Sequence, residues 1–559
     1  MKKFLALLLT VVMVMSMVSF GAMADDAVIT IDIYDDAANY HGIQTGWFAK
    51  VVKDRFNIEL NIIAKQVAGD QVYATRAAEG NLGDILIMDK AEFANAIKAG
   101  LVKNIADKLP ECGNLQQFMV QIDSYNKDFD DGVIYGIPAE MTDTSPVTLT
   151  AELVGSQPQI RWDLYKAAGA PVVADTQGLL DLLAKIHEIH PTNEAGDPAY
   201  PFSLWPDWDN NDNMSGPANV VQLTTWFGQK LKNSAMLMPD NTFRKLTDRD
   251  VAYYTITKMI NKANQMGLVD PESYEQGWNE VCAKISNGQV DLIWYNWEIG
   301  FWNSQERLDN GSAFQFIPVG DQEYYADADP FYGSARVWGV GSSVTDEKYD
   351  LIMKFLDWYA SPEALVFQHD GIEGLNYTIG EDGKFIPYMD NALMDNLPVP
   401  EEYGGGGYQD GNNAINQWLC SSICTNPNTG ETYDMKFWAS YIAKNMTQMK
   451  SEWMETFDAR DAVDWMNKNG KLVASPSVSF SPESDDPDHE FIRKTINTEL
   501  CKYTWQMFRA ESDEAFEALW DEMVETLEGL GYDELYQYDC AKWQPEVDMK
   551  VEAAAAAAK

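Results

Sequence analysis

Apolar positions in the first hundred residues alternate between two periods. Ile29, Ile31 and Ile33 alternate with polar residues and predict a strand over 28–34. Trp47, Val51 and Phe56 predict a helix ending near Asn57, and 58–64 reads as a second strand. Ile85 to Met88 follow Gly83-Asp84 as a continuous apolar run, the pattern of a strand buried on both faces. A helix over 91–99 stops at Gly100. Strands alternating with helices predict an α/β unit with a largely parallel sheet. Asp131-Gly132 reads as a turn before a short strand over 133–137, ended by Pro138.

From about 141 to 310 the texture changes. Helices are expected at about 161–168, 176–189 and 248–266, with a loop dense in Trp, Asp and Asn from Pro201 to Pro217. Strand patterns return at 288–295, 313–319 and 337–340. A helix over 349–360 precedes Ser361-Pro362-Glu363, a cap-plus-proline start for the next one. The last third is expected to be mainly helical, with loops at about 371–415 and 470–490. Its clearest helix spans 511–530, with Ser512 as cap and Phe516, Leu519, Trp520, Met523 and Leu527 in one stripe. Such a stripe is core packing, and Trp358, Trp465 and Trp520 are assigned to core on that ground.

The chain begins with the three parts of an export signal. Lys2 and Lys3 precede an almost uninterrupted apolar stretch from Phe4 to Phe20, and Ala22-Met23-Ala24 is a small-x-small cleavage site. Residues 1–24 are therefore expected to be removed, giving an extracellular, cell-surface-associated or periplasmic protein. Another run of about 20 apolar residues, long enough to span a bilayer, is absent from the sequence. With 559 residues, 46% of them hydrophobic, more than one packed lobe is expected. The formal charge of −45 argues against nucleic acid and anionic lipid as partners, because both need a surplus of Lys and Arg. Five His leave little room for a His-based metal site. Six Cys in an exported chain permit disulfides, but spacing does not fix a pairing. Asp207-x-Asp209-x-Asn211-x-Asn213 has the oxygen spacing of an EF-hand start, but Asp212 stands where Gly is needed and Ala218 where Glu is needed. Neither metal nor cofactor is expected.

Several segments, in order, resemble extracellular solute-binding proteins of ABC importers. They are Gly83-Asp84-Ile85-Leu86, the run Asp131-Gly132-Val133-Ile134-Tyr135-Gly136-Ile137-Pro138, and Ile160-Arg161-Trp162-Asp163 through Gly169-Ala170-Pro171. Gly288-Gln289-Val290-Asp291 leads to Trp294 and Trp297; Gly333-Ser334-Ala335 and Trp338-Gly339-Val340 follow. Ser361-Pro362-Glu363-Ala364, Gly371-Ile372-Glu373-Gly374 and Asp382-Gly383-Lys384 complete a set spanning about 28–385. The later region resembles the long, lipoprotein-like subgroup of sugar binders less distinctly. The resemblance implies an α/β, two-lobe, periplasmic-binding-protein-like (type II) fold with an interlobe cleft and a largely helical C-terminal part. It places a first lobe at 25–140 plus about 313–347, and a second at about 141–312 plus 348–550. Crossings between lobes are expected near 139–146, 311–318 and 343–350. One departure is that the lipidated Cys usual in that subgroup does not follow Ala24.

A pyranose has an apolar C–H face and a rim of hydroxyls, so aromatic rings and polar side chains together suit it. The sequence holds 18 Trp, 26 Tyr and 23 Phe to supply the rings. Ligands of open α/β sheets sit beyond the carboxyl ends of strands. That rule selects Asp89, the segment from Asp35 to His41, and Asn296 and Trp297. Trp297 and Trp338 also carry the resemblance. Trp205 and Trp208 lie in a polar loop and are stacking candidates. Glu140 sits near the expected hinge, Arg336 is placed to bond a hydroxyl or pair with an acid, and Tyr332 is carried with them as a candidate ligand contact.

The leading expectation is capture of a carbohydrate, an oligosaccharide, by a monomer that delivers it to an ABC permease in the membrane without chemistry. Ligand touching both lobes shifts the population toward a closed form. A secreted glycoside hydrolase or lyase is the alternative, needing two carboxylates at defined separation, and 86 acids leave such a pair open. No Gly-x-Ser-x-Gly elbow or His-based metal motif supports it. A polysaccharide adhesion module and a binder of peptide or another polar solute are further alternatives.

Overall fold

The computed structural model describes residues 27–558 apart from 70, 128, 130, 131, 211–215, 389–396 and 484. The export signal, Asp131 of the expected turn and the second half of the acidic 207–213 loop lie outside the described residues.

Two α/β units form, each on its own core. The first is a six-stranded sheet in the order β2-β3-β1-β4-β13-β5. Its strands are β1 (Ile29–Asp35), β2 (Gly42–Ile43), β3 (Ile58–Ala64), β4 (Ile85–Asp89), β5 (Gly136–Pro138) and β13 (Arg336–Val340). β1 runs parallel to β3 and β4, as the alternating pattern required. β13 is inserted antiparallel between β4 and β5. The helix Gly46–Phe56 stops where Asn57 turns left-handed at φ 54°. The helix Lys90–Lys98 starts where Asp89 caps Ala91 N.

The second unit is built on β6 (Ser156–Arg161), flanked antiparallel by β10 (Leu292–Tyr295) and β11 (Phe314–Phe316). A meander of β7 (Lys230–Lys232), β8 (Ala235–Leu237) and β9 (Phe243–Lys245) lies beside it. β12 (Tyr324–Asp327) pairs parallel with β16 (Leu472–Ser475). The helices Pro487–Phe508, Asp513–Gly529 and Tyr532–Ala557 close this unit, with the Ser512 hydroxyl capping the second of them as expected. The alanine tail continues the last helix to Ala557. Arg493 pins that helix by donating to both oxygens of the fully buried Asp539, at 2.7 Å each.

The lobe boundaries differ from the expectation. Phe314, Phe316, Tyr324 and Ala326 are in the second core, so the chain does not return to the first lobe at 313. It returns between Ala326 and Val337. It also does not leave again at 348. The helix Asp346–Tyr359, the hairpin of β14 (Tyr377–Ile379) and β15 (Phe385–Pro387), and residues up to Trp438 pack in the first core. Tyr349, Ile352, Phe355, Leu356 and Tyr359 are the reason, because their shared helical face is covered by the first sheet's residues. The third crossing falls between Tyr441 and Met449. The first lies between Met141 and Leu149, overlapping the expected position.

The crossings are laced together. Asp329 accepts from Thr150 N and Oγ1 at 2.9 and 2.6 Å and donates its own N–H to Thr148 O at 2.7 Å. Ser477 N donates to Pro146 O, and Met141 N to Leu419 O.

Candidate functional site

Strand direction locates the site. β5 runs into the first crossing and β13 emerges from the second, so the Pro138 and Arg336 ends of the first sheet face the crossings. Arg336 is register partner of Asp89, and β1 lies parallel to β4. The carboxyl ends of β1 and β4 therefore point to the hinge. In the second lobe β6 enters from the hinge, and Tyr295 pairs with Ser156 at its start. The carboxyl end of β10 thus faces the same gap. This topology brings Asp36, Asp89, Glu140 and Arg336 to one side of the hinge, and Asn296 and Trp297 to the other.

The first side is a charged cluster. Arg336 Nε donates to Asp36 Oδ1 at 2.9 Å, and the Asp89 N–H donates to Asp36 Oδ2 at 2.6 Å. Asp36 lies in the segment from Asp35 to His41 that the strand-end rule selects, directly after β1. Asp89 uses Oδ1 as a helix cap, accepting from Ala91 N at 2.9 Å. Burial pushes the neighbouring Asp35 carboxyl up to about 7. His41 is exposed at the edge, with Nδ1 accepting from Ala64 N at 3.3 Å. Tyr332 is half-buried on the second crossing, its ring edge-on to Phe331.

Glu140 adopts φ 58°, a left-handed conformation unusual for a residue with a Cβ, and its N–H donates to Trp418 O at 2.8 Å. A non-glycine residue held there costs on the order of 1 kcal/mol. Glu140→Gly is therefore expected to hold or slightly raise the melting temperature while weakening ligand binding. A lower melting temperature with unchanged affinity would assign the side chain to hinge support instead. Trp418, missed in the sequence, borders a cavity of about 410 Å³ with Gln368, His369, Tyr408, Asn412 and Tyr433.

The second side is aromatic. Trp297 is 44% exposed and stacks on Tyr295 at 4.8 Å and 22°. Trp278 lies edge-on to it at 5.2 Å, Trp208 is 6.2 Å away, and Phe301, also exposed, is 6.4 Å away. Asn296 is half-buried and its N–H donates to Gly155 O at 3.2 Å. Trp278, Tyr295 and Phe301 were missed in the sequence, because helical or strand-like spacing reads such rings as core.

Two candidates are corrected. Trp338 has no exposure; its ring packs on Tyr359 at 5.1 Å inside the first core. It sits in mid-strand, opposite Ile87 and Ile137, on the face the sheet turns to its own helices. Trp205 is 1% exposed and stacks on Trp294 at 5.2 Å and 6°, so it supports Trp208 and Trp278 from below and is not itself a surface. In the acidic loop, Asp207 accepts from Trp278 N, and Asp209 accepts from Ala218 N and Trp505 Nε1. These two carboxylates brace the aromatic wall. A larger cavity of about 710 Å³, bounded by Arg161, His190, Trp302 and Arg307, lies at the opposite end of β6, away from the crossings.

The sequence profile of the bacterial extracellular solute-binding protein family matches residues 41–366. The chain belongs to that family. Lipoprotein LipO of Bacillus subtilis is 24% identical over 317 residues, 55% of this chain and 58% of LipO, so the match spans under two thirds of that relative. Among solved structures, the Streptococcus pneumoniae ABC-transporter substrate-binding protein FusA, in complex with kestose, superposes with TM-score 0.59 at 15% identity. It covers 93% of this chain and 99% of its own. An HMO-binding, ABC-transporter-associated solute-binding protein from Bifidobacterium longum infantis gives 0.56 at 14%, covering 94% and 99%. The alginate-binding protein AlgQ2 gives 0.54 at 16%, covering 94% and 100%. At such identities the likeness establishes the fold: two α/β lobes of the type II binding-protein class.

Proposed function

We propose that this family member captures an oligosaccharide between its lobes and hands it, unaltered, to an ABC permease. The observation that carries the reading is the exposed Trp297–Tyr295 stack at the hinge end of β10, set opposite the Asp36–Asp89–Arg336 cluster. A ring covers the C–H face of a sugar, while carboxylates and a guanidinium bond its hydroxyls. Trp208, Asn296, Trp297, Glu140 and Arg336 are the contacts assigned to the ligand, with Asp89, Tyr332 and His41 at the margin. A ligand bridging both lobes favours closure, and closure is the signal a permease reads. The sugars named for FusA, AlgQ2 and the Bifidobacterium protein support the carbohydrate class. Export by the signal over 1–24 and action as a monomer belong to the same reading.

A thermal-shift screen tests it, with kestose, alginate oligosaccharides and lactose-based oligosaccharides against peptide controls. A ligand of the native state at about 100-fold excess over its Kd adds about 2.7 kcal/mol, a rise of several degrees. A rise with one sugar class, recovered intact, supports capture. A rise with peptides alone would replace the sugar by a peptide, and recovery of cleaved sugar would replace capture by hydrolysis.

A further inference from the structure

The turn that presents Trp297 is held by an unusual partner. β10 pairs with β6 at Leu292↔Ile160 and Ile293↔Gln159, then shifts register before Tyr295↔Ser156. At that irregularity the N–H groups of Trp294 and Tyr295 both donate, at 2.8 Å each, to one side-chain oxygen, Glu298 Oε2. Glu298 is 1% exposed and opens the short turn Glu298–Phe301. Among the described residues no Lys or Arg pairs with it. The titratable groups that face it are Tyr295, on its own strand end, and Cys282, from the helix Trp278–Ser286 packed against the turn.

We propose that Glu298 is the positioning residue of the aromatic platform: its carboxylate fixes the strand end that aims Tyr295 and Trp297 into the cleft, so ligand affinity follows its ionisation. The inference rests on the reading that the Trp297–Tyr295 stack receives the sugar. A charged acceptor holds N–H donors more strongly than a neutral one. Tyr295 carries one of the two amides and its ring stacks on Trp297, so loosening that amide disturbs both rings. Burial without a cation pushes the Glu298 carboxyl up to about 7, which puts its proton within the range an exported protein meets.

The sign separates this from general acid damage. The folded protein holds the Glu298 proton more tightly than the unfolded chain between about 4.5 and 7, so its contribution to stability rises as pH falls through that window. Platform order and affinity move the opposite way, because Glu298 stays buried when the two amides let go, and losing them pushes its carboxyl further up.

The test has a ligand-free arm and a binding arm. Amide exchange of the full-length protein is followed over 292–297 at pH 5.5 and 8.5, for wild type and Glu298→Gln. Expected is roughly tenfold lower protection at pH 5.5 in wild type, and low, pH-independent protection in E298Q. Kd for the sugars of the screen above is expected to rise about tenfold from pH 8.5 to 5.5 in wild type and to change much less in E298Q, where only Asp35 and Asp209, pushed up by burial to about 7 and about 6, still titrate near the cleft. Flat protection in wild type overturns the proposal. So does a flat Kd for a sugar whose binding Trp297→Ala abolishes. Protection that follows pH, with Trp297→Ala leaving Kd unchanged, would instead overturn the platform as the sugar's seat while keeping Glu298 as the anchor of the turn.

Discussion

Trp297→Ala is expected to weaken oligosaccharide binding roughly 30- to 150-fold, about 2–3 kcal/mol, with the melting temperature of the ligand-free protein within about 2 °C of wild type. The ring is nearly half exposed, so its removal leaves an open surface and no closed void. Tyr295, Trp278 and Phe301 remain to cover the ground beneath it. Trp297→Phe keeps a face for stacking and should recover most of the lost affinity. Titration calorimetry beside a thermal scan decides the matter. A large drop in melting temperature with unaltered Kd would show that Trp297 belongs to the core and that the sugar sits elsewhere.

Trp338→Ala should do the reverse. The indole is closed in on every side by Tyr359 and by strand partners on either hand. Emptying such a site costs about 3–5 kcal/mol in lost transfer energy and cavity. For a unit of this size that is a fall of about 10 °C. Its Nε1 is buried with no hydrogen-bond partner among the described residues. Trp338→Phe removes that donor while keeping a ring, so it should cost much less than the alanine variant. Affinity in either variant is expected to stay within about twofold once the protein is folded, because additivity holds for distant sites. A Kd change as large as that of Trp297→Ala would restore Trp338 to the binding surface.

The contrast between these two tryptophans shows what was legible. Period-two and helical patterns found β1, β3 and the helix Thr176–Ile189 to within a residue or two, because each has one buried face, and the continuous apolar run found β4, which is buried on both. The motif order gave the family. The patterns did not say which face of β13 a residue takes, because that strand is covered on both sides and reads apolar throughout. Strand-end position therefore promoted Trp338 wrongly and Trp297 by the same rule. The platform was only half visible, since Trp278 reaches it from the helix that precedes the strand and Trp208 from a loop, a convergence that only folding creates. The lobe boundary after 348 was misplaced because an amphipathic helix shows that it packs, not against which core. The helix Tyr532–Ala557 was hidden by Pro545 in its interior.

The insertion of β13 between β4 and β5 has a consequence for how the protein is made. A ribosome emits β4 some 250 residues before the strand that must lie beside it. Until then β4 and β5 cannot join one sheet, and the helix Asp346–Tyr359 that covers them arrives later still. The amino-terminal segment thus emerges as a chain without its centre, and such non-local pairing is slow to form. The order of synthesis thus sets the order of folding: the first lobe cannot lock while its own middle is still being synthesised.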